Sequence, residues 1–244
     1  MTLAIRSKRG NMMKSFSIPA LAILALLAVV AASPFAASAK KALLIPAPAA
    51  DASLATTRGE ESVVFAGGCF WGVQAVFQHV KGVISATSGY SGGEAKTAEY
   101  EVVSTGSTGH AESVKVIFDP SQVTYGQLLH VFFSVTHDPT ELNRQGPDEG
   151  TQYRSVVFYT NPDQLRITKA YIEQLDNAHV FKHAIVTQVV PLKGFYRAEN
   201  YHQNYATWHP DSAYILSNDA PKVENLKHEF PEMYRDSPNL AAAK

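Results

Sequence analysis

Cysteine is nearly absent from this chain: Cys69 is the only one among 244 residues. A single cysteine cannot close an intramolecular disulfide, so the disulfide framework common in small exported proteins is excluded. Three uses of the sulfur remain: a small buried side chain, a link between two chains, or a reactive group. The residues around Cys69 decide between them.

Long apolar runs are also lacking. The run 20–32 has 13 residues, fewer than a transmembrane helix needs, and no later run is long enough either. Four basic residues and no acidic residue precede this run, and Ala37-Ser38-Ala39 follows it. These are the parts of a secretory signal peptide. We therefore expect residues 1–39 to be removed on export to the periplasm or out of the cell. An uncleaved N-terminal anchor is the alternative.

An excess of positive charge is absent too. Removal of residues 1–39 takes away four of the 21 Lys and Arg residues and none of the 22 Asp and Glu residues, so the formal net charge falls from −1 to −5. Such a chain lacks the basic footprint of nucleic-acid-binding proteins. We expect no nucleic acid and, after signal cleavage, no membrane among its partners, and we expect a monomer.

Composition divides the rest of the chain into three parts. Residues 40–60 are rich in Ala, Pro and Thr without periodicity, which is typical of a flexible spacer. Residues 61–235 have the size of one ordinary domain and contain no internal repeat. Residues 236–244 are expected to form a disordered tail.

Strand and helix patterns recur within the domain without strict alternation. The predicted strands are 62–66, 84–90, 98–103, 112–118, 155–159 and 185–190. Helices are predicted over 71–80, after the capping box of Thr124 and Gln127, after Asn161-Pro162, and from Pro221. This order favours an α+β fold in which helices pack on one mixed β-sheet. The polar stretch 137–154 between two core elements predicts a binding loop.

Cys69 falls between the first predicted strand and the first predicted helix, in Gly67-Gly68-Cys69-Phe70-Trp71-Gly72. Unpaired amide hydrogens and the positive end of the helix dipole gather at a helix N-terminus, where they stabilise a thiolate. Glycines let the backbone turn closely and leave the sulfur accessible. The sequence therefore favours a reactive cysteine over an inert core residue.

A cysteine that expels an oxygen or nitrogen leaving group needs a proton donor for that group. Glu112 is the leading candidate. It lies at the edge of the predicted strand 112–118, on the face with Val114, Val116 and Phe118. An apolar surrounding raises the pKa of a carboxyl and keeps it protonated near neutral pH. A solvated glutamate at the strand end is the alternative.

Aromatic residues supply further candidates. Tyr100 and Tyr153 are potential neutral O–H donors, or core aromatics with satisfied hydroxyls. Phe70 and Trp71 are candidates to line a small apolar pocket beside the thiol, or they serve plain packing.

Several blocks of the sequence resemble the A-type peptide methionine sulfoxide reductases. They extend in collinear order over about residues 61–206 and are Gly68–Gly72, Gly89–Gly93, Thr108–Glu112, His137–Pro139, Gln152–Ser155 and Tyr201–Gln203. The resemblance implies a ferredoxin-like core within the α+β fold. It also implies reduction of the S epimer of methionine sulfoxide, free or in proteins, to methionine.

The resemblance implies roles for individual residues. Cys69 would attack the sulfoxide sulfur and become a sulfenic acid, and Glu112 would protonate the oxygen with help from Tyr100 and Tyr153. The remaining implied site residues are Phe70 and Trp71 around the substrate methyl group, Asp148 on the polar side of the pocket, and Gly68 and His202 at the substrate site.

No metal or organic cofactor is implied, but an external thiol is. Many members of the family carry further cysteines near the C-terminus that attack the sulfenic acid, and this chain has none after Cys69. Reduction must then come from thioredoxin, glutaredoxin, glutathione or a reagent such as dithiothreitol attacking Cys69 directly.

Three other interpretations compete with this one. Cys69 and His202 lie 133 residues apart, with Asn204 close by, which loosely matches the spacing in papain-like cysteine hydrolases. A non-catalytic exported binding module would use Cys69 as an intermolecular link. His179 and His183, at i and i+4, are the helical-spaced pair from which a metal site would be built.

Overall fold

A six-stranded mixed β-sheet forms the centre of residues 45–242, the part of the chain that the computed structural model describes. The predicted signal peptide, the start of the predicted spacer and the last two residues lie outside the described residues. The sheet strands are β1 (Glu61–Ala66), β2 (Val83–Ser91), β3 (Ala111–Phe118), β6 (Val156–Tyr159), β7 (Gln188–Pro191) and β8 (Phe195–Arg197), while β4 (Arg144–Gln145) and β5 (Asp148–Glu149) form a separate hairpin.

Six α-helices cover and flank the sheet within this part of the chain. They are α1 (Phe70–Gln78), α2 (Tyr100–Val103), α3 (Tyr125–Val131), α4 (Pro162–Asn177), α5 (Tyr205–Trp208) and α6 (Ala220–Glu229). Short 3-10 turns occur at 95–97, 151–153 and 200–202, and π-helical turns at 132–136 and 215–219. Among the described helices, none has the length and apolar character that crossing a membrane requires.

The strand order β7-β6-β1-β3-β2-β8 confirms the predicted α+β fold with one mixed sheet. Neighbouring strands are antiparallel except β6 and β7, which are parallel. The four central strands, with α1 after β1 and α3 after β3, make the β-α-β-β-α-β unit of a ferredoxin-like core. Helix α1 packs on β1, β2 and β3 on one side and on α5 and α6 on the other.

Local sequence chemistry correctly predicted where several elements begin. The Thr124 side chain accepts a hydrogen bond from the Gln127 amide, and the Gln127 side chain accepts one from the Thr124 amide, so the capping box that opens α3 is complete. The Asn161 side chain accepts from the Gln164 amide and opens α4. These motifs act within one turn, so they need no tertiary information.

The predicted strand 98–103 is wrong, because this segment forms α2. Its start is fixed from a distant part of the chain: the Glu199 carboxylate accepts a hydrogen bond of 2.9 Å from the Tyr100 amide. The Ser104 hydroxyl then bonds the Tyr100 carbonyl at 2.7 Å. Tertiary contacts override the β propensity of two adjacent valines here. Strand β8 was not predicted, and β7 begins at Gln188 rather than at residue 185.

The described part of the predicted flexible spacer, residues 45–60, packs against the domain. Ile45 is 3% exposed and belongs to the main core. The Tyr171 hydroxyl donates to the Pro46 carbonyl, and the Asp51 carboxylate accepts from the Gly126 amide at 2.8 Å. Composition cannot reveal these contacts because their partners lie 75 to 125 residues away.

The described part of the predicted disordered tail, residues 236–242, is also attached. The Asn239 amide nitrogen Nδ2 donates to the carbonyls of Val83 and Ile84, at 3.0 and 2.6 Å. The Ala241 amide donates to Asn204 Oδ1 at 2.9 Å, and Ala241 is buried. The tail therefore lies against the start of β2 and against Asn204, the residue before α5.

We expect Asp51→Ala to lower the free energy of unfolding by about 1 kcal/mol, because the Asp51 carboxylate accepts hydrogen bonds from Thr124 and Gly126 at the start of α3. Asp51 is exposed, so its replacement leaves no cavity in the core. Urea unfolding would measure the loss, and hydrogen exchange over residues 45–60 should accelerate. The matched control is Asp163→Ala, which removes an exposed acid from the first turn of α4, where it pairs with Arg166 on the same helix. Equal values for the two variants would show that the segment is not clamped by Asp51.

Candidate active site

Cys69 occupies the N-cap of α1, as its sequence position predicts. Gly68 turns the chain from β1 into the helix with a φ of +87°, a conformation that a β-carbon disfavours. Cys69 is 8% exposed and counts as buried, so the glycines admit the turn without leaving the residue open to bulk solvent.

The expectation that the helix N-terminus favours a thiolate is wrong for the resting protein. Burial raises the pKa of the Cys69 thiol well above its ordinary value, and the carboxylates of Glu112 and Asp219, where they are ionised, raise it further. The Trp71 amide and the Lys222 ammonium act in the opposite direction but contribute less. Cys69 is therefore a thiol at neutral pH, because the desolvation of a charge outweighs a few oriented dipoles.

Glu112 lies on the apolar face of β3, as predicted. It is 3% exposed, and its Oε2 accepts a hydrogen bond of 3.1 Å from the Phe70 amide at the first turn of α1. Burial raises the pKa of Glu112 to about 8, the Phe70 amide lowers it, and the charges of Asp148 and Asp219 raise it. The carboxyl is consequently protonated at neutral pH and can donate a proton.

A cavity of about 210 Å³ joins these residues to most of the predicted site. Its lining comprises Cys69, Phe70, Trp71, Tyr100, Glu112, Asp148, Tyr153 and Tyr214. Burial raises the pKa of both Tyr100 and Tyr153, so both phenols stay neutral O–H donors. The cavity thus combines a thiol, a protonated carboxyl and two hydroxyl donors with an aromatic wall.

Tyr214 is the member of this cavity that the sequence did not identify. Its hydroxyl donates to Asp148 Oδ2, and its ring meets the Trp71 ring edge-on, with centroids 5.8 Å apart. It comes from the segment before α6, which folds back over the start of α1. No local pattern distinguishes this tyrosine from the other ten, so the sequence holds no signal for its role.

His202 and Gly68 do not line the 210 Å³ cavity, unlike the other predicted site residues. His202 lies behind the aromatic wall: its Nδ1 accepts a hydrogen bond of 3.2 Å from Trp71 Nε1, and its ring centroid lies 4.4 Å from that of Tyr100. Burial lowers the pKa of His202 to about 4, although Glu199 opposes this. His202 therefore supports the wall as a neutral ring, and Gly68 shapes the backbone.

A buried ion pair lies beside the first turn of α1. Asp219 Oδ1 and Lys222 Nζ are 3.0 Å apart, with Asp219 fully buried and the Lys222 side chain 17% exposed. Gly72 makes room for them, because a β-carbon there would collide with Asp219 Oδ1. The other Asp219 oxygen is buried and has no hydrogen-bond partner.

The geometry does not favour the hydrolase or the metal site. His202 Nε2 is buried without a hydrogen-bond partner, so it is not bonded to the Cys69 sulfur as a hydrolase base would be. His179 and His183 follow the end of α4 at Asn177, so they do not share a helix face. Across residues 45–242, no group of three or more His, Cys, Asp and Glu side chains is arranged to hold a metal ion.

Comparison with known proteins leads to the same chemistry. The family model described as peptide methionine sulfoxide reductase matches residues 61–234. Peptide methionine sulfoxide reductase MsrA 2 of Mesorhizobium japonicum is 59% identical over 182 residues, which cover 75% of this chain and 93% of the relative. The MsrA 2 protein of Synechocystis sp. is 48% identical over 191 residues, which cover 78% of this chain and 89% of the relative.

Solved structures agree. Reduced Mxr1 from Saccharomyces cerevisiae is similar with a TM-score of 0.57 and 32% identity, covering 66% of this chain and 94% of Mxr1. Methionine sulfoxide reductase A of Corynebacterium diphtheriae is similar with a TM-score of 0.55 and 34% identity, and the match covers 64% of this chain and 77% of that protein. The resemblance is therefore confirmed, and the hydrolase and binding-module interpretations are not supported. The chain belongs to the A-type peptide methionine sulfoxide reductases, oxidoreductases that repair methionine sulfoxide with electrons from an external thiol.

Proposed function

We propose that this chain reduces the S epimer of methionine sulfoxide through a sulfenic acid on Cys69, with Glu112 as the general acid. The observation that carries the proposal is the shared cavity in which a buried thiol and a protonated carboxyl meet. Phe70 and Trp71 hold the methyl group of the substrate, while Tyr100 and Tyr153 donate hydrogen bonds to its oxygen. Asp148, bonded by Tyr214, orients the polar side.

The reaction balances within the site. The Cys69 sulfur attacks the sulfoxide sulfur and forms a sulfur–sulfur bond, while Glu112 donates its proton to the sulfoxide oxygen and takes up the thiol proton. The hydroxyl then moves from the substrate sulfur to the Cys69 sulfur, which becomes a sulfenic acid, and the sulfur–sulfur bond breaks with its electron pair on the substrate sulfur. Two electrons pass from the Cys69 sulfur to the substrate sulfur, which leaves as the thioether.

Burial of the Cys69 thiol and of the Glu112 carboxyl favours this order of events. A free thiolate beside Glu112 is disfavoured at neutral pH, so attack and proton transfer are coupled through the substrate oxygen. A neutral carboxyl in an apolar site also donates more strongly to a developing negative oxygen than it would in water.

The protonation state of Glu112 predicts the pH dependence of the first turnover. The reactive form holds both protons, and Glu112 loses its proton as the pH rises through about 8. We expect a constant rate below about pH 7 and a fall of about tenfold per pH unit above the pKa of Glu112. Rapid quench with a methionine sulfoxide peptide, without reductant, measures this rate. A rate that rises through that pKa would mean that a preformed thiolate attacks.

Glu112→Gln should slow the first turnover by about 100- to 10,000-fold, the usual contribution of a positioned acid, and should remove the inflection. Glu101→Gln is the matched control, because Glu101 is an exposed acid on α2 outside the cavity. An unchanged rate in Glu112→Gln would mean that Tyr100 or Tyr153, not Glu112, is the general acid.

The single cysteine predicts that the oxidised intermediate persists. One equivalent of sulfoxide should convert Cys69 to a sulfenic acid that dimedone traps as one adduct, since no second thiol in the chain can form a disulfide. Intact-mass analysis measures the adduct, and Cys69→Ser should give neither adduct nor methionine. Turnover by Cys69→Ser would refute the mechanism.

Export is part of the proposal. The charge pattern of residues 1–39 and the Ala37-Ser38-Ala39 site support cleavage before Lys40 and activity in the periplasm or outside the cell, as a monomer. Intact-mass measurement of protein from the exported fraction should give a chain that begins at Lys40. A full-length chain recovered with membranes would favour the anchor.

A further inference from the structure

A second, larger cavity also reaches Cys69. It has a volume of about 700 Å³, within the range of roughly 300–1,000 Å³ that is usual for small-molecule sites, whereas the 210 Å³ cavity lies below that range. The two cavities have only Cys69, Asp148 and Tyr214 in common. Glu112 and the aromatic wall belong to the smaller one. Cys69 is therefore accessible from two differently built spaces.

The larger cavity has two lysines in its wall. Lys222 and Lys182 line it, and Lys222 is fixed by the buried Asp219. An ammonium has three N–H donors, of which Asp219 Oδ1 accepts one. A buried carboxylate thus holds a lysine beside the cavity that contains Cys69.

The three carboxylates of this lining are already engaged by groups of the chain itself. Asp138 accepts hydrogen bonds from the Thr140 amide and hydroxyl, Glu141 accepts one of 2.8 Å from the Gly146 amide and pairs with Arg144, and Asp148 accepts from Tyr214. An incoming carboxylate therefore finds its donors among the lysines. An α-ammonium on the same ligand would face the acidic side.

We propose that the larger cavity binds the thiol that regenerates Cys69, and that this thiol is a small molecule with free carboxylates, held by Lys222 and Lys182. This inference rests on the proposed function in one respect, because the sulfur to be regenerated is the sulfenic acid left by sulfoxide reduction. The smaller cavity takes the substrate, and the larger takes the reductant.

Accessibility favours a small thiol over a protein thiol. Cys69 is 8% exposed, and the segment from Tyr214 to Asn225 contributes part of the cavity wall. A thiol on the surface of another protein would have to displace this segment to touch the sulfur. A peptide-sized thiol fits into the space that exists.

Two thiol molecules complete the cycle. The first attacks the Cys69 sulfenic sulfur, a sulfur–sulfur bond forms, and the hydroxyl leaves as water with the thiol proton. The second attacks the outer sulfur of this mixed disulfide, which releases the oxidised small disulfide and restores the Cys69 thiol.

The test isolates regeneration from sulfoxide reduction. The full mature protein is oxidised with one equivalent of hydrogen peroxide, and dimedone confirms the sulfenic acid on a sample. The remainder is mixed with reduced glutathione, which carries carboxylates, or with uncharged 2-mercaptoethanol, and intact mass follows the mixed disulfide. We expect a rate that saturates with glutathione and exceeds that of 2-mercaptoethanol by about tenfold at equal thiolate concentration, as one charged hydrogen bond would give.

Variants identify the groups that recognise the carboxylates. Lys222→Gln and Lys182→Gln should each reduce the ratio of the two rates by roughly three- to tenfold. The ratio is informative because a change in Cys69 reactivity alters both rates alike. Lys182 is exposed, so its variant keeps the fold. Lys227→Gln, on α6 but outside the cavity and 54% exposed, is the matched control and should preserve the ratio.

Several outcomes would overturn the inference. They are equal rates for the two thiols, a glutathione rate that stays linear in concentration, or a ratio that neither cavity lysine changes. Regeneration by thioredoxin that is much faster than by saturating glutathione would overturn it as well. Regeneration as expected, in a protein that fails to reduce sulfoxide, would refute the proposed function and leave this inference standing.

Discussion

The hydrogen bond between the Phe70 amide and the Glu112 carboxyl is the interaction on which the active centre depends. It joins the first turn of α1 to the start of β3, where both elements are buried. The carboxyl is buried there without a cation of its own, so burial keeps it protonated. Because Cys69 caps the same helix, the thiol and the acid are held by a single junction. Moving either element would separate them.

This arrangement has a cost that follows from its chemistry. The folded-state pKa of Glu112, about 8, exceeds the ordinary value of 4.5, so folding takes up a proton between these values. The contribution of Glu112 to stability is complete below about pH 4.5 and is lost as the pH rises through about 8. The domain tolerates this because the surrounding core is extensive and because the Phe70 amide satisfies one of the carboxyl oxygens.

The two terminal segments complete the domain in different ways. Residues 45–60 are fixed to the start of α3 and to the second half of α4, through hydrogen bonds to groups such as Gly126 and Tyr171. The C-terminal segment, here the residues from Tyr214 to Asn225, instead contributes side chains to the site, with Tyr214 in both cavities and Lys222 in the larger one. A chain without a second cysteine thus uses this segment for charge and shape rather than for a second sulfur.

Local sequence patterns were enough to identify the reactive groups and the starts of several elements. A lone cysteine between a strand and a helix, an alternating strand with Glu112 on its apolar side, and complete capping motifs are signals within a few residues of one another, so pattern rules read them correctly. The family resemblance added Asp148 and gave Tyr100 and Tyr153, already candidate donors, their role toward the oxygen; all three line the cavity although α2 was predicted as a strand.

The electrostatics of the site, and the contributions of residues that are far apart in the chain, depend on the tertiary structure. Whether Cys69 rests as thiol or thiolate depends on how much water its neighbours exclude, and that is the sum of contacts from β1, β3 and the C-terminal segment. Tyr214, the Asp219–Lys222 pair, the supporting place of His202 and the docking of both terminal segments depend on contacts between residues that are far apart in the chain. Local periodicity and composition are insensitive to such contacts, because long-range packing rather than local preference fixes them.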